Sequence, residues 1–212
     1  MADDLVFYTN PMSRGRIVRW MLEEVGQPYR TEVLEYGTTM KAPAFLVINP
    51  MGKVPALKHG EVVVTESAAI CAYLADAFPQ AGLAPPTTSP ARGIYYRWLF
   101  FGAGCVEAAV SNKAMGWEAP ADRQRMFGYG SMADVLAGLE RALGQGDYIL
   151  GDRFSAADVY LGSQIGWGVQ FGTLEKRPAF EPYLGRIMSR PAAIRARELD
   201  DGLIAEQKKA AS

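Results

Sequence analysis

Near residue 80 the pattern of apolar residues changes for the rest of the chain. Before that point, short apolar runs alternate with helical spacings. Residues 5–8 read as a strand, and residues 14–25 carry Ile17, Trp20, Met21 and Val25 at helical spacing with Gly26 just past the end. Residues 29–34 read as a second strand and residues 43–48 as a short helix that ends at Asn49-Pro50. Residues 54–57 and 62–64 flank a turn at 58–61, and residues 66–78 are helical again, with Ile70, Leu74 and Phe78 on one face. The order is βαβ, a helix, then ββα. The first part demands a parallel strand pair joined by a right-handed crossover, and the second adds an antiparallel pair.

That order predicts an α/β, thioredoxin-like N-terminal domain with a four-stranded mixed sheet over residues 1–78. Residues 79–90 hold four prolines and little periodicity, and read as a linker. From 91 to 212 the spacing is helical throughout: segments at 91–113, 120–143, 155–169 and 178–190, a short turn after Pro191, and a frayed tail from Gln207. This predicts an all-α C-terminal helical bundle. Ser155 and Asp158 have the spacing of a capping box, a folding device rather than chemistry.

Composition excludes several classes. The net charge of −1 provides no general field for nucleic acid, and helical spacing on a solvated face accounts for the cluster Arg14, Arg16 and Arg19. The acidic start does not read as a targeting peptide, so none is expected, and no apolar run approaches the roughly 18 residues of a membrane helix. The two cysteines, Cys71 and Cys105, lie far apart, as in a reducing compartment, so a cytoplasmic protein is expected. The single histidine, His59, reads as an exposed turn residue, and no metal site is expected.

The strongest chemical signal is Met51-Gly52-Lys53-Val54-Pro55-Ala56-Leu57 followed by Thr65-Glu66-Ser67. A proline at a strand start removes a ladder donor. It fits if Val54 offers its own N–H and C=O to a ligand backbone, which a cis Val54–Pro55 bond would orient. Glu66-Ser67 opens a helix, where backbone N–H groups and the Ser67 hydroxyl attract a carboxylate and Glu66 suits an ammonium. Together they fit an amino-acid headgroup. A plain strand start and an acidic first helical turn explain each piece taken singly.

Asn49-Pro50-Met51-Gly52-Lys53-Val54-Pro55-Ala56-Leu57 and Glu66-Ser67-Ala68-Ala69-Ile70 resemble the glutathione-binding signature of the cytosolic glutathione transferases. The resemblance covers nearly the whole chain. It implies that Val54, with Pro55 cis, pairs with the cysteinyl backbone of glutathione, and that Glu66 and Ser67 bind its γ-glutamyl group. Lys41 and Lys53 fall where the phi-type enzymes place residues near the glycyl carboxylate; a solvated surface role explains them too. It further implies glutathione as the cofactor, a small hydrophobic electrophile as the partner, and a homodimer.

In Tyr8-Thr9-Asn10-Pro11-Met12-Ser13-Arg14-Gly15-Arg16, Ser13 suits the N-cap of the first helix. By resemblance it aligns with the catalytic serine of the phi and theta classes. A hydroxyl donated to a thiol at a helix N-terminus favours the thiolate. Asn10 and Tyr8 stay open as alternative activating groups. No cysteine lies in this loop, unlike the omega and beta classes. Tyr95, Phe101, Met115, Trp117, Trp167 and Phe171 are apolar candidates for the electrophile, each also explained as helical core. The leading expectation is conjugation of the glutathione thiolate. A peroxidase, isomerase, dehalogenase or disulfide-reducing activity, or a non-catalytic glutathione- and ligand-binding role, stays open.

Overall fold

The computed structural model describes residues 5–210; residues 1–4 of the acidic start and 211–212 of the expected frayed tail lie outside the described residues. The chain forms two compact units, one running to Ala81 and resuming at Ser189, the other Gly82–Met188. No helix among the described residues is long and apolar enough to cross a membrane.

The first unit contains β1 (Leu5–Thr9), α1 (Gly15–Val25), β2 (Arg30–Val33), α2 (Pro43–Leu46), β3 (Ala56–His59), β4 (Val62–Thr65), α3 (Ser67–Ala77) and α9 (Pro191–Ala210). The sheet order is β2-β1-β3-β4: β1 pairs parallel with β2 and antiparallel with β3, and β3 pairs antiparallel with β4. This is the expected mixed, thioredoxin-like sheet. Leu5, Val6 and Phe7 are buried, as are Ile17, Val18, Met21 and Leu22 of α1 and Ile70 and Leu74 of α3, so helices on the sheet remove its apolar residues from water.

Three expectations for this unit need correction. The hairpin turn is only Gly60-Glu61, because Lys58 and His59 are paired with Val63 and Val62. His59 is therefore not an exposed turn residue. It is half-buried, its Nδ1 lies 2.8 Å from the Tyr73 hydroxyl, and its ring stacks on Phe78 at 5.6 Å. Second, the segment after Pro191 is a 20-residue helix, continuous to Ala210, that rejoins the first unit rather than a bundle spanning 91–212. Its charges alternate with apolar residues too irregularly to show a face in sequence.

Third, Arg19 does not lie on a solvated face. Arg19 and Asp200 of α9 form a buried ion pair at 2.8 Å, with side chains 3% and 1% exposed. The Arg19 guanidinium also donates to Tyr29 and Thr31 and stacks over Phe7. Burial raises the Asp200 carboxyl above its usual range, and Arg19 opposes that rise. Burial, and the hydrogen bond its hydroxyl donates to the Glu23 carboxylate, push Tyr29 up to about 12. Two further pairs join α1 to α9, Arg16–Asp201 and Glu23–Arg195, and a third joins α1 to the residue just before it, Glu24–Arg190. The Glu24 pair is bidentate, at 2.6 and 2.8 Å, a geometry that suits the planar guanidinium.

The second unit is helical. It holds α4 (Ala91–Phe100), a π-helical segment (Phe101–Val106), α5 (Glu107–Ala114), α6 (Met132–Leu143), α7 (Ala156–Gln170) and α8 (Phe180–Met188). The helix expected over 120–143 is broken. A 3₁₀ segment (Ala121–Met126) ends at Phe127, and α6 starts only after Ser131, whose hydroxyl and Asp134 carboxylate form a capping box. The other capping box is as expected: the Asp158 carboxylate accepts from the Ser155 N–H and hydroxyl. It also accepts from the Ile149 N–H and the Tyr183 hydroxyl, so one buried side chain joins two helices and a loop. Burial lifts Asp158 to about 6 against these four hydrogen bonds, which leaves it ionised at neutral pH.

Candidate functional site

Strand register alone gathers most of the candidate residues. Tyr8 of β1 pairs with Ala56 of β3, and Ala56 pairs with Thr65 of β4. One row across the sheet therefore ends in three exits. Asn10 to Ser13 leave β1, Val54-Pro55 enter β3, and Glu66-Ser67 leave β4, all at the same end.

The first exit is a tight turn. The Asn10 C=O accepts the Ser13 N–H at 3.0 Å, with Pro11 at the corner, where its fixed φ suits a β-turn. The Asn10 side chain is buried and bonded through both amide atoms: its Oδ1 accepts the Met12 N–H at 3.0 Å, and its Nδ2 donates to the Leu34 C=O at 2.8 Å. The Ser13 hydroxyl donates to the Asn10 C=O at 2.7 Å and accepts the Gly15 N–H at 2.9 Å. Ser13 thus serves the first turn of α1, although Arg14 occupies the cap position itself. Gly15 is required there, because any Cβ would collide with the Thr9 hydroxyl. Tyr8 is half-buried, with its ring 5.6 Å from Phe45 in a cluster with Met40 and Ala56.

The second exit begins with a turn of the same construction. The Asn49 C=O accepts the Gly52 N–H at 2.8 Å, its Oδ1 accepts the Met51 N–H at 3.0 Å, and its Nδ2 donates to the Lys53 C=O at 2.7 Å. The chain then runs through Lys53 and Val54 to a cis Val54–Pro55 bond. Neither the N–H nor the C=O of Val54 enters a hydrogen bond among the described residues. Lys41 is exposed and donates from Nζ to the Met51 C=O at 2.9 Å, which brings it beside this turn; Lys53 is exposed.

At the third exit Glu66 has φ 67° and ψ 115°, and it is the one non-glycine residue with positive φ among the described residues. Such a backbone costs about 1–3 kcal/mol and persists where the surroundings enforce it. Its consequence is directional. The chain turns sharply from β4 into α3, so the exposed Glu66 carboxylate and the half-buried Ser67 stand at the first turn of an 11-residue helix. One end of the sheet thus holds the N-termini of α1 and α3, an acceptor and donor at Val54, two cations and one carboxylate. That set matches a small zwitterionic ligand with more than one carboxylate.

Sequence reasoning missed Asn49, Arg16 and Arg19 as builders of this region. The repeat of Asn-Pro-Met at residues 10–12 and 49–51 was the available signal for Asn49. Of the apolar candidates, Tyr95 is fully buried core of the second unit, Phe101 and Trp167 are half-buried, and Met115, Trp117 and Phe171 are largely exposed.

Comparison with known proteins shows the family. Residues 12–77 match the family model "Glutathione S-transferase, N-terminal domain", and residues 115–186 match "Glutathione S-transferase, C-terminal domain". A maleylacetoacetate isomerase of Pseudomonas aeruginosa is 31% identical over 165 residues, covering 73% of this chain and 76% of the relative. A glutathione transferase structure from Methylococcus capsulatus is 30% identical with a TM-score of 0.76, covering 93% of this chain and 98% of that one. A sphingomonad glutathione S-transferase, solved in complex with glutathione, is also 30% identical, with a TM-score of 0.74 and coverages of 92% and 98%. The chain belongs to the glutathione S-transferase family, enzymes whose co-substrate is glutathione.

Proposed function

We propose that this protein binds glutathione at the end of the sheet and that the Ser13 hydroxyl stabilises its thiolate for attack on a small hydrophobic electrophile. The observation that carries the reading is the register that brings Ser13, Val54 with its cis Pro55, and Glu66-Ser67 to one sheet end. Val54 would pair with the cysteinyl backbone, and Glu66 and Ser67 would take the γ-glutamyl ammonium and carboxylate. Lys41 and Lys53 would face the glycyl carboxylate. Asn10 is buried and fixes the turn through both of its amide atoms, whereas Ser13 is half-buried and donates its proton to a carbonyl that keeps a second donor; with Tyr8 packed on Phe45, this supports Ser13 over Asn10 and Tyr8 as the activating group.

In this reading Ser13 turns its single proton from the Asn10 C=O to the sulfur. That carbonyl keeps the Ser13 N–H, so the cost is one neutral hydrogen bond, about 1 kcal/mol. The gain is a bond to an anion, roughly twice as strong, next to the N-terminus of α1. A free thiol titrates near ~8.5, and about 1.4 kcal/mol of preferential stabilisation lowers it by one unit. The same thiolate serves conjugation or peroxide reduction. A homodimer acting in cytoplasmic detoxification is the assembly and setting that fit the family.

The isomerase among the relatives favours a second reading, glutathione-dependent isomerisation of maleylacetoacetate. Two measurements test the proposal. Ser13→Ala should raise the thiol pKa of bound glutathione by about 1–2 units, read from thiolate absorbance against pH, with affinity nearly unchanged. An unchanged pKa and rate would remove the role of Ser13. Turnover of a panel of aromatic electrophiles against turnover of maleylacetoacetate separates transferase from isomerase.

A further inference from the structure

We infer that Arg16 and Asp201 are positioning residues for the thiol-activating turn, so that the last helix sets where the Ser13 hydroxyl points. The inference rests on the role given to Ser13 above. Arg16 bridges two elements. Its Nε donates to the Pro11 C=O at 2.6 Å, and its Nη2 donates to the Asp201 carboxylate of α9. Pro11 is the corner of the turn whose ends, Asn10 and Ser13, share the hydroxyl hydrogen bond. The turn is thus held from two sides: Asn10 ties it to the sheet through Leu34, and Arg16 ties it to α9.

The placement of Asp201 is itself fixed. The buried Arg19–Asp200 pair, the bidentate Glu24–Arg190 pair and the Glu23–Arg195 pair set the position of α9 along α1. That register puts consecutive carboxylates, Asp200 and Asp201, against two arginines one helical turn apart. A guanidinium serves the carbonyl and the carboxylate from one rigid planar fork and so fixes the two acceptors relative to each other; a lysine ammonium could bond both but, on its flexible stem, would fix neither direction.

The Arg16 and Asp201 side chains are 26% and 58% exposed. An ion pair so open to water adds little to stability. Its effect is geometric, and that makes it testable apart from folding. The competing explanation is that the pair merely helps dock α9. Arg195–Glu23 provides the control, since it joins the same two helices, is exposed on the arginine side, and makes no hydrogen bond to the turn.

The experiment uses the full chain with glutathione as the probe. It reads the thiol pKa of bound glutathione and, without ligand, amide hydrogen exchange over residues 10–16. Arg16→Gln should raise the thiol pKa by about half to one unit and lower kcat about tenfold, with glutathione affinity within about threefold and faster exchange in the turn. Asp201→Asn should move both readouts in the same direction by less, and it carries the test if Arg16→Gln does not fold. Arg195→Gln should move neither.

The charge exchange Arg16→Asp with Asp201→Arg restores attraction between the helices but not the bond to Pro11, so the thiol pKa should stay raised. Recovery of the wild-type pKa in that double variant would overturn the inference in favour of simple docking. So would wild-type pKa and exchange in both Arg16→Gln and Asp201→Asn while Ser13→Ala shifts the pKa. If Ser13→Ala shifts nothing either, the role of Ser13 fails and the relay falls with it.

Discussion

The turns at Asn10–Ser13 and Asn49–Gly52 begin with the same three residues and make the same three hydrogen bonds from the asparagine, yet they are anchored at very different range. In the first, the asparagine amide reaches Leu34, 24 residues away, and Arg16 connects the corner to α9. In the second, the amide reaches only Lys53, four residues on, and the outside contact is Lys41, ten residues before Met51. The fourth residue differs accordingly. Ser13 keeps an ordinary φ and hands the chain to a helix, while Gly52 takes φ +56° and hands it to an extended segment. One Asn-Pro-Met unit therefore serves two ends. Anchored in the core, it fixes a hydroxyl; anchored locally, it aims a stretch of backbone.

The largest expected effect breaks the second turn at its fourth residue. In Gly52→Ala, the new Cβ would lie 2.7 Å from the Met40 C=O and 2.9 Å from Lys41 Nζ, and the residue would hold a left-handed backbone. The conformation costs about 1–2 kcal/mol and the overpacking a similar amount or more, so a loss of about 3–4 kcal/mol is expected in urea unfolding. At the matching place in the first turn, Ser13→Ala should cost only about 1 kcal/mol, the worth of a helix-start acceptor. Equal losses at the two positions would refute the different demands assigned to them.

The asparagines come next. Asn10→Ala leaves the half-buried Leu34 C=O without its long-range partner, while the Met12 N–H, in an exposed residue, can turn to water, so about 2 kcal/mol is expected. Asn49→Ala removes bonds of shorter range whose partners, Met51 and Lys53, lie in exposed residues where water can replace them, so about 1–2 kcal/mol is expected. The chemical readouts should separate more than the stabilities. Asn10→Ala should raise the thiol pKa of bound glutathione, and Asn49→Ala should weaken glutathione binding at unchanged pKa. The reverse pattern would exchange the roles of the two turns.

Much of this was legible in the sequence, where the chemistry is local. Short-period strands, the proline beside Val54, and the Ser155–Asp158 capping box each announce themselves within a few residues, and the strand order then follows from connection rules. Long-range partners left no such mark. Arg19 looks like any helix-surface arginine until Asp200 is found beside it, and α9 looks like a charged tail because its partners lie about 170 residues earlier. His59 was misplaced by two residues of turn, since strand pairing to Val62 carried it off the tip. The break at 127–131 was missed because residues on both sides keep a helical spacing, and only the Ser131–Asp134 box marks the restart.

The smallest effect on stability sharpens the comparison most finely. Lys41 connects the second turn to the preceding loop through one exposed hydrogen bond to the Met51 C=O, and its stem lies against Gly52. Lys41→Met keeps the stem and removes the charge and the bond. Its effect on unfolding should stay within about 0.5 kcal/mol, as for an exposed polar contact. Glutathione affinity should nonetheless fall severalfold at low salt, and the difference from wild type should shrink as salt rises, because a glycyl carboxylate would lose an attraction that ions screen. If the loss of affinity is independent of salt, Lys41 acts by holding the Met51 carbonyl and so the aim of Val54. The second turn would then be anchored from outside like the first, and the contrast between them would lie in distance alone.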